Sequence, residues 1–175
     1  MNYSEIKNCD IANGPGVRVT LFVSGCTHHC VGCFNEMTWD FEYGMPFDAA
    51  AQERLLSLLQ PDYIAGLTLL GGEPLEYVNW RGLLPFLKNV KAQCPKKDIW
   101  CYSGYRFEED ILGRFCGQWE EMREFLACID VLVDGEFVLE QKDISLQFRG
   151  SANQRIILVQ ESLARGETVL WQGIR

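Results

Sequence analysis

Three of the eight cysteines, Cys26, Cys30 and Cys33, fall within eight residues at C-x3-C-x2-C spacing, while Cys9, Cys94, Cys101, Cys116 and Cys128 are scattered. Thiolates are soft ligands suited to iron–sulfur clusters or zinc, and a short loop can turn three of them onto one centre. Saturated ferredoxin-type clusters and structural zinc sites close four positions. No fourth cysteine stands nearby. Three ligands leave a position open for a substrate, as catalytic metal centres do. The rival is a structural zinc completed by His28 or His29. Otherwise these histidines read as exposed loop residues, available for proton transfer or partner contact. The scattered cysteines read as buried small hydrophobes.

A second constellation follows the apolar run Leu67-Thr68-Leu69-Leu70, where Gly71-Gly72-Glu73-Pro74 makes a turn. Two glycines at a strand end let backbone come close to a ligand, and Glu73 beside them can accept hydrogen bonds from an ammonium group. A Gly-Gly turn by itself is often only a turn. Its place after the second strand, downstream of the cysteine loop, gives it weight.

The elements that must carry these loops alternate between strand and helix. From Val17 the run VRVTLFVS is a buried strand feeding the cysteine loop. Asp48 caps a helix to about Gln60, with Ala51, Leu55, Leu58 and Leu59 at helical spacing and Pro61 as its stop. Residues 63–70 read as the next strand. Asn79 then caps a helix carrying Leu83, Leu84, Leu87 and Val90, with Pro85 marking a late start or a kink. A third unit runs from a strand at 99–102 through Ser103-Gly104-Tyr105 into helical segments over 108–128. Residues 129–133 form a fourth strand, and 155–159 and 168–171 are short strand candidates around a turn containing Gly166.

Such alternation favours a parallel sheet with helical crossovers and a site at the carboxyl ends of the strands. A closed eight-unit barrel takes about 250 residues. The 175 residues here therefore predict one α/β domain over 1–175, a partial TIM-like (βα) barrel with its helices outside.

Composition narrows the partners. An apolar share of 47% and a charged share of 23% are those of a compact globular chain. A net charge of −8 opposes direct binding to nucleic acid. No apolar run approaches the roughly 20 residues that span a bilayer, and residues 1–10 lack the basic and apolar regions of a signal peptide, so a cytoplasmic location is expected.

The cysteine motif with the following Gly71-Gly72-Glu73-Pro74 resembles the radical S-adenosylmethionine enzymes. More narrowly, Asn13 to Trp39, Lys97 to Tyr105, Ile129 to Phe137 and Phe148 to Ile157 resemble the branch that activates anaerobic ribonucleoside-triphosphate reductase. The resemblance implies a 4Fe-4S cluster on Cys26, Cys30 and Cys33, with an open iron that chelates the amino and carboxylate groups of S-adenosylmethionine. The amino group would then lie near Gly71, Gly72, Glu73 and Pro74. Gly32 and Phe34 carry over as backbone or stacking contacts to the nucleoside, together with Asn35, Ser103 and Asp134. Many radical enzymes of this type place an aromatic residue just before the third cysteine. Here that position is Gly32, with Phe34 after the cysteine, a departure that touches adenine packing.

The chemistry so implied is reductive cleavage of S-adenosylmethionine to a 5′-deoxyadenosyl radical, which abstracts hydrogen from a glycine Cα of the reductase large subunit. No general base or nucleophile is required, so no catalytic side chain is assigned. A flavodoxin or ferredoxin is the electron donor the family implies. Two rivals remain: activation of another glycyl-radical enzyme such as a formate-lyase, and a non-catalytic iron–sulfur or zinc module.

Overall fold

The computed structural model describes residues 1–173. Its strands are β1 (Asn2–Asp10), β2 (Val17–Val23), β3 (Met45–Pro46), β4 (Ile64–Gly71), β5 (Asp98–Tyr102), β6 (Val131–Asp134) and β7 (Arg155–Leu158). They form one sheet in the order β3-β1-β2-β4-β5-β6-β7. The four central strands β2, β4, β5 and β6 run parallel. β1 lies antiparallel beside β2, β3 antiparallel beside β1 at the edge, and β7 antiparallel beside β6. The helices are α1 (Ala49–Leu59), α2 (Tyr77–Gln93), α3 (Cys116–Gln118), α4 (Glu121–Cys128) and α5 (Val159–Arg165), with a π-helical segment, Phe107–Phe115, leading into α3.

Register follows from the alternation of side chains along each strand. Leu21, Leu69, Cys101, Leu132 and Ile157 lie in one row across five strands. All five belong to the main core, with Leu55 and Leu59 of α1, Trp80, Leu83 and Leu87 of α2, and Phe125 of α4. The next row, Thr20, Thr68, Trp100 and Val131, faces the other way. There Trp100, Val131, Val133 and Ile156 build a smaller core under Phe148 and Trp171. The helical layer thus covers one face of the sheet, and loops cover the other.

Arg18 sits on the loop-covered face with no exposed side-chain surface. Its guanidinium reaches Thr68 Oγ1 at 2.7 Å, the Leu67 carbonyl at 2.9 Å and Asp98 Oδ1 at 2.6 Å. A buried guanidinium is tolerated because its donors are satisfied and a carboxylate balances it, and here it ties β2, β4 and β5 together away from the cysteine loop.

Asp48 caps α1 as its sequence predicts, accepting the Ala51 N–H at 2.9 Å. Asn79 is not a cap: α2 begins at Tyr77 and passes through Pro85 without a break. The helical stretch expected over 108–128 divides into the π-helical segment, α3 and α4. The 168–171 candidate contributes a single antiparallel bridge, Ile157 to Leu170. Gly166 ends α5, a helix absent from the sequence reading, as were β1 and β3. No helix among the described residues is long and apolar enough to cross a membrane.

Candidate metal centre

All four parallel strands deliver residues to one cavity at their carboxyl ends, the position at which open α/β sheets gather ligands. β2 leads into the loop carrying Cys26, Cys30 and Cys33. β4 ends in Leu70, Gly71, Gly72 and Glu73, β5 in Tyr102, Ser103 and Gly104, and β6 leads to Gly135. Together with His28, Phe34, Asn35, Trp39, Phe137 and Gln154 they line a cavity of about 150 Å3.

The cysteine loop is closed on itself by backbone bonds from Gly25 N–H to the Thr38 carbonyl, 2.8 Å, and from Cys26 N–H to the Trp39 carbonyl, 3.1 Å. The glycine turn is clamped to its base: Gly72 N–H donates to the Val23 carbonyl at 2.7 Å and Glu73 N–H to the Gly25 carbonyl at 2.8 Å. A Cβ on Gly72 would stand 2.6 Å from the Gly25 carbonyl oxygen and 2.9 Å from that of Thr38. At Gly72 the close backbone approach is to the protein's own cysteine loop.

Asn79 supplies the third tie. Fully buried, its amide Nδ2 donates to the carbonyls of Ser24 and Glu73, each at 2.9 Å. Asn79→Leu, nearly equal in size, would leave both carbonyls without that donor. The expected loss is about 1 to 3 kcal/mol of stability, read as a lower urea midpoint with an unchanged slope.

Cys26 is buried and Cys30 and Cys33 are half-buried. Burial, with Glu73 and Cys30 nearby, pushes the Cys26 thiol up to about 12, against the backbone N–H groups of His28 and His29 directed at its sulfur. Burial also raises Cys30, with Glu136 and Cys33 adding to it and the Phe137 N–H opposing. The Asn35 N–H meets the Cys33 sulfur at 3.4 Å. Burial thus favours the neutral thiols of Cys26 and Cys30, and binding a metal there would release their protons.

Among the described residues, no three His, Cys, Asp or Glu side chains are gathered tightly enough to grip one metal ion. Backbone N–H groups directed at the sulfurs suit a cluster, because hydrogen bonds to the sulfurs are among the factors that set its potential. On donor type, placement and hydrogen bonding the three cysteines fit a 4Fe-4S group.

Glu73 is buried, and both of its carboxylate oxygens are engaged. Oε1 accepts the Leu75 N–H at 2.8 Å; Oε2 accepts the Gly104 N–H at 2.7 Å and His28 Nε2 at 3.0 Å. His28 Nδ1 meets Glu136 Oε1 at 3.0 Å. Burial works against charge on His28, but its bonds to Glu73 and Glu136 outweigh that and raise its pKa to about 9. His28 is therefore not the exposed loop residue its polar setting implies, its side chain being only 9% exposed. His29 is exposed and packs on Trp39, ring centres 4.6 Å apart.

The other expected site residues divide. Phe34 lines the cavity, leaning on Phe137 at 5.2 Å under Lys142, and Asn35 and Ser103 also line it. Gly32, Pro74 and Asp134 do not. Gly32 is exposed beside Leu139, and Pro74 is buried behind the turn. Asp134 accepts the Phe107 N–H and pairs with Arg155, so its carboxylate holds β6, β7 and the π-helical segment together. Of the five scattered cysteines, four are buried as expected, but Cys9 is exposed.

Sequence reasoning missed Gly104, Tyr102, Gly135, Phe137 and Gln154 as lining residues. The strand-end rule applied to β5 and β6 finds the first three, whereas Phe137 and Gln154 arrive on long loops with no local signal.

Residues 12–157 match a family model described as a 4Fe-4S single cluster domain. The chain is 46% identical over 158 residues to the anaerobic ribonucleoside-triphosphate reductase-activating protein of Haemophilus influenzae, covering 89% of this chain and 97% of that one. It is 47% identical over 161 residues to the protein of the same name from Pasteurella multocida, covering 89% and 96%. Against that of Escherichia coli the identity is 42% over 156 residues, covering 88% and 96%.

Proposed function

This chain belongs to the family of anaerobic ribonucleoside-triphosphate reductase-activating proteins, and on that premise we propose that it is an iron–sulfur oxidoreductase that installs the glycyl radical of such a reductase. Cys26, Cys30 and Cys33 would hold a 4Fe-4S cluster with one iron left for S-adenosylmethionine. When bound, the cluster supplies the electron that splits the sulfonium to methionine and a 5′-deoxyadenosyl radical, which takes a hydrogen atom from a glycine Cα.

The chain's own residues bind, orient and exclude water. The observation that carries the reading is the shared cavity: three thiols and the Gly71-Gly72-Glu73 turn line one space, joined by direct backbone bonds. Glu73 is positioned to accept hydrogen bonds from an amino group, and Phe34, Asn35 and Ser103 are left to face the nucleoside. Gly32, Pro74 and Asp134 would act from outside the cavity, by shaping the loops. The apolar lining from Phe34, Leu70, Tyr102 and Phe137 limits solvent around a reactive intermediate.

Helices on one face of a mostly parallel sheet, with the site at the strand ends, support reading the domain as a partial (βα) barrel whose mouth admits a protein loop. A flavodoxin or ferredoxin would deliver the electron.

Anaerobically reconstituted protein given dithionite and S-adenosylmethionine is expected to form 5′-deoxyadenosine. A cluster-loaded protein that forms none would overturn the proposal.

A further inference from the structure

Glu73 has more donors than burial requires. The N–H groups of Leu75 and Gly104 already satisfy one oxygen each, yet His28 adds a third bond to the carboxylate, the second to Oε2. A carboxylate has about four acceptor positions, so one position remains, on Oε1.

His28 is itself held on every side. Its Nδ1 is bound to Glu136, whose carboxylate is exposed at the rim of a neighbouring depression that also contains Thr27, Tyr105 and Arg114. The edge of Tyr105 meets the imidazole with ring centres 4.4 Å apart. Gly104 passes so near that a Cβ there would lie 2.6 Å from the ring. Few rotamers survive such a cage, so the direction of the Nε2 bond is set by the fold.

We propose that His28 is a positioning residue for the nucleotide cofactor: its imidazole fixes the Glu73 carboxylate so that the remaining acceptor position on Oε1 meets the amino group of S-adenosylmethionine, with Glu136 anchoring the ring from the rim. This rests on the reading of the site given above. It assigns a role to His28, the second residue after the first cysteine, and to Glu136 beyond the cavity. It also gives a reason for Gly104 that is independent of the cofactor: any larger residue would displace the ring.

The test is equilibrium binding to the anaerobically reconstituted protein, followed by the change in its electron paramagnetic resonance spectrum. Unsubstituted protein, His28→Ala and His28→Gln would be titrated with S-adenosylmethionine and with its analogue lacking the amino group. His28→Ala is expected to bind S-adenosylmethionine about tenfold more weakly, the scale of one hydrogen bond to a charged group. His28→Gln, whose amide can still donate, should recover most of that loss. All three proteins should bind the analogue alike and contain the same iron per chain.

Wild-type affinity in His28→Ala would overturn the proposal, as would an equal loss for the analogue or a loss of iron in both variants. Failure of the unsubstituted protein to bind either compound would instead overturn the reading of the site, and the proposal with it.

Discussion

Alanine at Cys26, Cys30 or Cys33 is expected to abolish both cluster assembly and 5′-deoxyadenosine formation, each substitution alone being sufficient. Removing an outer-shell partner of a metal costs about 10- to 100-fold. If the three cysteines are the ligands proposed, losing one should exceed that, because among the described residues no other thiol lines the cavity to replace it. Cys94→Ala and Cys128→Ala are the controls. Both residues are buried in the main core, so they should lower stability through lost packing while the cluster content per folded chain stays constant. The measurement is iron and sulfide per chain after anaerobic reconstitution, with product assayed in the same samples. A triad variant that retains full iron and activity would show that the ligands lie elsewhere.

Gly72→Ala should produce the second large effect, although it adds only one methyl group. The added Cβ would meet two backbone carbonyl oxygens, those of Gly25 and Thr38, at 2.6 and 2.9 Å. Neither can rotate away as a flexible side chain would. Relief requires the glycine turn to separate from the base of the cysteine loop, breaking the bonds from Gly72 to Val23 and from Glu73 to Gly25. Overpacking of this kind costs about 1 to 3 kcal/mol, and the displacement falls on the two segments that line the same cavity. The expected result is a lower melting temperature together with a loss of S-adenosylmethionine binding larger than the drop in stability accounts for. An alanine variant that binds the nucleotide normally would mean that the contact between turn and loop is not what shapes the site.

The parts of the molecule that could be read from the sequence are those whose signal is local. Spacing identified the three cysteines, the alternation of apolar runs with Gly- and Pro-containing turns located β2, β4, β5 and β6, and Asp48 marked the start of α1. The edges of the sheet were not legible for physical reasons. β1 buries Tyr3, Ile6 and Asp10, but its pairing with β2 shifts register between Tyr3 and Glu5 and again between Lys7 and Asp10. Those irregularities erase the period-two pattern. Its buried acid also looks like a surface residue until Thr20 and Asn13 are seen to bond it.

The site shows the same division. Glu73 was legible because it follows two glycines at a strand end. His28 was not, since its burial comes from Glu73, Gly104, Tyr105 and Glu136, which lie 45 to 108 residues away in the chain. Asn79 looked like a helix cap because asparagine before an apolar run usually is one. Only the tertiary structure reveals that its amide is used to join two loops. The family resemblance carries over both Ser103 and Asp134; Ser103 lines the cavity, whereas the Asp134 carboxylate is taken up by Arg155 and the Phe107 N–H.

The centre of the proposal is an iron that the protein leaves open for the amino acid end of S-adenosylmethionine. Electron–nuclear double resonance on the reduced, reconstituted protein, with the nucleotide carrying nitrogen-15 at its amino group, reads that bond directly. A hyperfine coupling between the labelled nitrogen and the cluster is the expected result. Bound nucleotide with no such coupling would contradict it.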